Sequence, residues 1–185
     1  LYVYTAYFAN DTGADGEGRW KVLEERGLWQ PQWGVTDNEG EDTPKESGDI
    51  AGNPGTQSND PGRFGVTSSG FYKFTFDVSG KKYTTTPYDA SGAPDFTSMS
   101  IQGSSTETIA MTQSSFDSHI WNITSTRLVP GDLQFLTNTG AAWGGSTEFS
   151  GVATEGGTIP VVVEDDYEVW FNDLTGHYIM IPLNL

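Results

Sequence analysis

One stretch of this chain occurs twice, and the repeat limits what the chain can fold into. Gly62 to Pro87 aligns without a gap on Gly157 to Pro182, placing Val66 on Val161, Tyr72 on Tyr167, Phe76 on Phe171 and Tyr83 on Tyr178. Between these identities Phe64 matches Ile159, Phe74 matches Val169 and Asp77 matches Asn172. Upstream, Trp33-Gly34 has a counterpart in Trp143-Gly144, across a connection of different length. A duplication predicts two modules of one kind, and 185 residues suit two small domains.

The recurring residues alternate with a period of two. Tyr72, Phe74 and Phe76 are separated by Lys73 and Thr75, and Tyr167, Val169 and Phe171 by Glu168 and Trp170, which is the pattern of a half-buried strand. Each run then meets a turn (Ser79-Gly80-Lys81 or Leu174-Thr175-Gly176) and a second strand through Tyr83 or Tyr178, so each copy predicts a β-hairpin. In the second half, strands are expected at 98–102, 108–111, 119–124, 133–137, 158–163, 167–171 and 177–181. In the first half they are expected at 2–8, at 19–23 and in the hairpin. No segment supports a long amphipathic helix, and residues 21–26 suit one short turn. The fold class expected is all-β: two tandem antiparallel β-sandwich domains, immunoglobulin-like or resembling carbohydrate-binding modules. The expected division is 1–89, a module shortened at its start, and 90–185, joined by a linker over Asp89 to Asp95. Residues 36–63, rich in Asp, Glu, Gly, Asn and Pro, read as a long acidic exposed loop.

Charge narrows the function classes. Nine Lys and Arg stand against 25 Asp and Glu, a formal net charge of -16, which repels nucleic acid and anionic membrane surfaces. A neutral polyol suits such a surface. The chain has no cysteine, so disulfides, thiolate metal sites and a cysteine nucleophile are excluded. No apolar run approaches the roughly 18–20 residues that span a bilayer. The apolar start, Leu1 to Ala9, lacks the basic flank and cleavage site of a signal peptide, so any export or anchor signal is expected upstream.

The ordered series Ile101-Gln-Gly103, Met111-Thr-Gln, Trp121, Gly131-Asp-Leu-Gln-Phe135, Trp143-Gly-Gly145 and Tyr167 to Tyr178 resembles the C-terminal modules of SusE/SusF-like outer-membrane lipoproteins. The likeness covers nearly all of 95–185. Over 1–89 it rests on Gly18-Arg-Trp-Lys-Val22, Trp33-Gly34 and Phe71 to Tyr83. The resemblance implies non-catalytic binding of starch or another oligo- or polysaccharide at the cell surface, beside a SusC/SusD-like importer. It also implies a lipid anchor at the outer membrane, which lies outside this cysteine-free chain.

Binding a pyranose needs a flat aromatic face and polar groups for the hydroxyls. Trp170 is out of phase with the core residues of its strand and should face outward, with Glu168 as a polar candidate beside it. Trp29, in a loop between Leu28 and Gln30, is the second stacking candidate. Trp33 and Trp143 recur in both copies, which favours a structural place near a sheet edge, and they are lesser ligand candidates. Trp20 and Trp121 sit in strand-like runs and read as core. No cofactor or metal is expected. His119 and His177 lack a ligand spacing, and the loop Asp11 to Gly16 lacks a calcium ligand at Gly13 and the bidentate Glu at Val22. The alternating Glu164, Asp166 and Glu168 suggest a glycosidase carboxylate pair, but the first copy has Ser69, Phe71 and Lys73 there, so an enzyme is not expected. The other alternative is a structural accessory subunit of an uptake complex that binds no sugar.

Overall fold

The computed structural model describes residues 1–11, 18–38 and 44–185, and among them finds twenty β-strands and no helix. The all-β expectation holds. The chain divides into two compact units, Leu1–Ala90 and Ser91–Leu185, each with its own apolar core.

In the second unit two sheets face each other across one core. The first has the order β12 (Thr112–Gln113), β13 (Ile120–Leu128), β19 (Asp165–Asn172), β20 (His177–Pro182), β16 (Ser150–Val152). The second has the order β11 (Thr106–Ala110), β10 (Met99–Gly103), β14 (Gly131–Thr137), β15 (Ala142–Gly144), β17 (Thr154–Glu155), with β18 (Ile159–Val161) also on β14. Trp121, Tyr167, Val169 and Phe171 point inward from one sheet, and Met99, Ile101, Leu133 and Phe135 from the other. Phe135 stacks on Phe171 with ring centroids 4.2 Å apart, which closes the sandwich-like layer.

The first unit reuses this frame. β8 (Gly70–Asp77) and β9 (Lys82–Pro87) pair Tyr72 with Pro87, Phe74 with Thr85 and Phe76 with Tyr83. β19 and β20 pair Tyr167 with Pro182, Val169 with Met180 and Phe171 with Tyr178, the same register. β1 (Tyr2–Phe8) lies on β8 as β13 lies on β19: Tyr2 opposes Phe76, and Trp121 opposes Phe171. The Trp-Gly dipeptides occupy equivalent places too. A Cβ on Gly34 would meet the Gly62 carbonyl oxygen at 1.8 Å, and one on Gly144 would meet that of Gly157 at 2.5 Å, so in both copies glycine lets two backbones touch.

One expectation is corrected. Residues 36–63 are not one long loop: β4 (Gln32–Asn38), β5 (Ser47–Asn53) and β6 (Pro61–Gly62) occupy much of the stretch, and Ile50, Ala51 and Gly52 are buried. Residues 39–43 of that loop lie outside the described residues. β5 is glycine-rich because large rings cover it. A Cβ on Gly48 would lie 3.0 Å from the Tyr83 ring, and one on Gly52 would lie 2.8 Å from the Trp33 ring. Composition therefore imitated a loop. The seven-residue β5 passes from β9, which it pairs through Ser47–Asp49, to β4, which it pairs through Ile50–Asn53. That continuity joins the strands into one seven-stranded sheet, β1-β8-β9-β5-β4-β3, with β3 being Val22–Leu23 and β6 also on β4. A two-stranded sheet of β2 (Arg19–Trp20) and β7 (Phe64–Gly65) accompanies it. In the second unit the equivalent run is broken at Ala153 into β16 and β17.

Candidate functional site

Besides the strands β10, β11 and β12, which precede β13 and have no counterpart before β1, the two units differ in two connections at one end of the β3-β4-β5 sheet. β3 and β4 are joined by residues 24–31, whereas their counterparts β14 and β15 are joined by residues 138–141. Between Gly52 and Gly62 run residues 53–61. Their counterparts Glu155 and Gly157, set by the pairings Trp33–Gly52 and Trp143–Glu155 and by the repeat, enclose Gly156 alone. Both enlarged connections in the first unit are held by their own backbone. Glu24 N donates to Pro31 O at 3.1 Å, and Thr56 N to Gly52 O at 2.9 Å.

These two connections bring Trp29 together with a polar cluster. The Trp29 indole is 61% exposed, and Lys21 Nζ sits over its ring, 5.8 Å from the centroid. Lys21 Nζ also donates to Gln32 Oε1 at 2.6 Å. Gln30 Nε2 and Asn53 Nδ2 both donate to Asp60 Oδ1, at 3.1 and 2.9 Å. The Asn53 amide, helped by Gln30, Lys21 and Gln32, holds the Asp60 carboxyl below the usual carboxylate range against the opposing effect of burial. Gln32 is 0% exposed, and its Nε2 has no hydrogen-bond partner. The arrangement offers a stacking surface, an ionised acceptor and amide and ammonium donors on one patch.

The other expected platform is more enclosed. Trp170 does face away from Tyr167, Val169 and Phe171, which are all buried, and lies between Asn122 and the exposed Ile179 on neighbouring strands. Its ring is half-buried, and its Nε1 donates to Glu168 Oε1 at 2.7 Å. Glu168 is only 7% exposed, so it fixes the indole instead of meeting a ligand.

Trp33 is a core residue, a correction to its candidacy: it packs in the first unit's cluster, and Glu24 Oε1 accepts its Nε1 at 2.7 Å. Trp143 packs half-buried against the second core, with its Nε1 buried and unpartnered. Trp121 is core, and its Nε1 donates to Asp173 Oδ2 at 2.7 Å. Trp20 lies against the first core, 4.7 Å from the Phe8 ring. His119 Nδ1 pairs with the other Asp173 oxygen at 2.5 Å, while His177 reaches Thr175, and no metal-binding cluster of His, Asp and Glu occurs among the described residues. Of the loop Asp11 to Gly16, weighed and set aside as a calcium site, residues 12–16 lie outside the described residues. Its Asp11 is paired with Arg19 at 2.7 Å.

Pattern reading singled out Trp29 but missed Lys21, Gln30, Gln32, Asn53 and Asp60. The signal available was the unequal length of matching connections in the two copies. Compared with protein-family models and with curated proteins, the chain matches none of them.

Proposed function

We propose that this chain is a non-catalytic glycan-binding protein whose principal site is the Trp29 patch of the first unit. The observation that carries the reading is an exposed indole beside Asp60, Asn53, Gln30 and Lys21. Sugar recognition needs that combination, because a pyranose presents an apolar face and a rim of hydroxyls. Lys21 covers one face of the ring, and the exposed surface is available for stacking. Trp170 is a secondary platform, its ring held by Glu168.

The carboxylates considered for hydrolysis are otherwise engaged. Arg127, the only Lys or Arg after Lys82, pairs with Glu164 at 3.0 Å and approaches Asp166 at 3.8 Å, and Glu168 holds Trp170. That favours binding over cleavage. In this reading the protein serves a SusC/SusD-type importer at the outer membrane, anchored through lipid outside the chain, as the resemblance implies.

Calorimetry against a panel of starch and other polysaccharides tests the site. Trp29→Ala should cost about 2 kcal/mol or more of binding, as truncating an aromatic anchor does, while Trp170→Ala should cost less. Undiminished binding in Trp29→Ala would move the site elsewhere. The accessory-subunit reading draws on a different feature: β1 is an edge strand without charge, with Tyr2, Val3 and Tyr4 exposed. Silence toward every glycan would favour it.

A further inference from the structure

We propose that the first unit is an unfinished sandwich whose open side takes one more β-strand, an extended polypeptide segment with apolar residues at alternate positions. Matched positions in the two units reveal the gap. Tyr2 opposes Phe76 as Trp121 opposes Phe171, and Tyr4 opposes Phe74 as Ile123 opposes Val169. Trp121 and Ile123 are core, 2% and 9% exposed, whereas Tyr2 and Tyr4 are 69% and 51% exposed. The strands β2 and β3 show the same deficit. Trp20 pairs with Phe64 as Leu133 pairs with Ile159, and Val22 pairs with Trp33 as Phe135 pairs with Trp143. Leu133 and Phe135 are fully buried, whereas Trp20 and Val22 are half-buried.

In the second unit other strands cover these positions. β10 lies on β14 with Ile101 opposite Phe135, and β12 lies on β13 with Gln113 opposite Trp121. Met99, Ile101 and Met111 complete that core. In the first unit, among the described residues, β1 pairs with β8 alone, β2 with β7 alone and β3 with β4 alone. The rings beside these strand edges form a continuous wall. Tyr2 lies 6.3 Å from Phe76, Tyr4 6.1 Å from Phe8, and Phe8 4.7 Å from Trp20, between centroids. β1 carries no charge from Tyr2 to Phe8. An uncharged edge beside an aromatic wall suits strand addition, because main-chain hydrogen bonds and side-chain pockets are gained together.

The second unit also specifies the occupant. The added strand runs antiparallel to β2 and β3, as β10 runs to β14, with bulky apolar side chains at every second residue turned toward Tyr2, Tyr4 and Trp20. It comes from outside residues 1–185. β10, β11 and β12 are already built into the second unit's sheets, and a second copy would set two net charges of -16 against each other.

The probe is a synthetic peptide of residues 98–113, which carries β10, β11 and β12, added to the full chain. Calorimetry reads its affinity and hydrogen exchange reads its position. Saturable binding is expected, with exchange slowed about tenfold or more in β1 and in residues 19–23. Asp in place of both Met99 and Ile101 in the peptide should abolish binding. Tyr4→Glu in the protein should weaken it about tenfold while leaving the circular dichroism unchanged, since that ring is exposed. Protection confined to β13 and β14 would mean that the peptide replaces its own copy in the second unit, and would overturn the proposal. Absence of binding would overturn it too. So would a free chain that scatters light as a dimer with β1 already protected, since a second copy would then be the occupant. A chain that binds no glycan would still pass this test.

Discussion

Phe171→Ala is a stringent test of the second unit's packing, because β19 carries core residues on one face and the Glu168–Trp170 pair on the other. Phe171 is 1% exposed, stacks on Phe135 from the facing sheet and opposes both Trp121 and Tyr178 on neighbouring strands. Truncation removes the transfer free energy of a benzyl group and leaves a cavity between rings pinned from two sheets, so little collapse can relieve it. Phe→Ala changes of this kind cost about 3–5 kcal/mol. In a domain of this size each kcal/mol moves the midpoint by roughly 4–8 °C, so a fall well above 10 °C is expected. Phe116→Ala is the internal control: that ring is 60% exposed, and its loss should stay within about 0.5 kcal/mol. Urea unfolding followed by near-ultraviolet circular dichroism, with the slope checked for constancy, measures both. A Phe171→Ala cost below about 1 kcal/mol, or one equal to that of Phe116→Ala, would refute the two-sheet core.

Two further outcomes follow from close contacts and buried charge. Gly52→Ala places a Cβ 2.8 Å from an indole whose Nε1 is tied to Glu24, and should cost about 1–3 kcal/mol in denaturant unfolding; a neutral result would show that the Trp33 ring is free to move. Burial raises the Asp173 carboxyl above its usual value, despite the hydrogen bonds from Trp121 and His119. The folded state therefore binds that proton more tightly than the unfolded chain. This contribution is fully present below the ordinary carboxylate pKa and is lost as pH rises through the raised one. Asp173→Asn should flatten that acid-side decline in a stability–pH series, and an unchanged decline would assign it to other groups.

Much of the fold could be read from alternation alone. Tyr167, Val169 and Phe171 announced β19, and the repeat announced β8 and β9 in the same register, because side chains that alternate across a strand must share a core face. β5 was illegible for the opposite reason. Its sequence, Ser47 to Asn53, offers Gly48 and Gly52 where a core face would show bulk, since the bulk is supplied by Tyr83 and Trp33 from other strands. Strand propensity is a statement about fit to neighbours, and those neighbours are distant in sequence. The site was half legible. Trp29 stood out as an indole in a loop, whereas Asp60 and Asn53 looked like ordinary loop residues until β4 and β5 brought them beside Gln32. Trp33 and Trp143 were visible as a repeated pair, and glycine contacts with the opposing backbone explain why the pair recurs.

The backbone-on-backbone contacts of Gly34 with Gly62 and of Gly144 with Gly157 pin the same pair of segments in both modules, whatever the length of the connection beside them. Connections freed from that duty can be lengthened at small entropic expense, since closure penalties grow only logarithmically. Such a lattice lends itself to transplantation: exchanging 138–141 and Gly156 for the longer segments 24–31 and 53–61 would give the sister module a recognition surface while its interior stayed untouched.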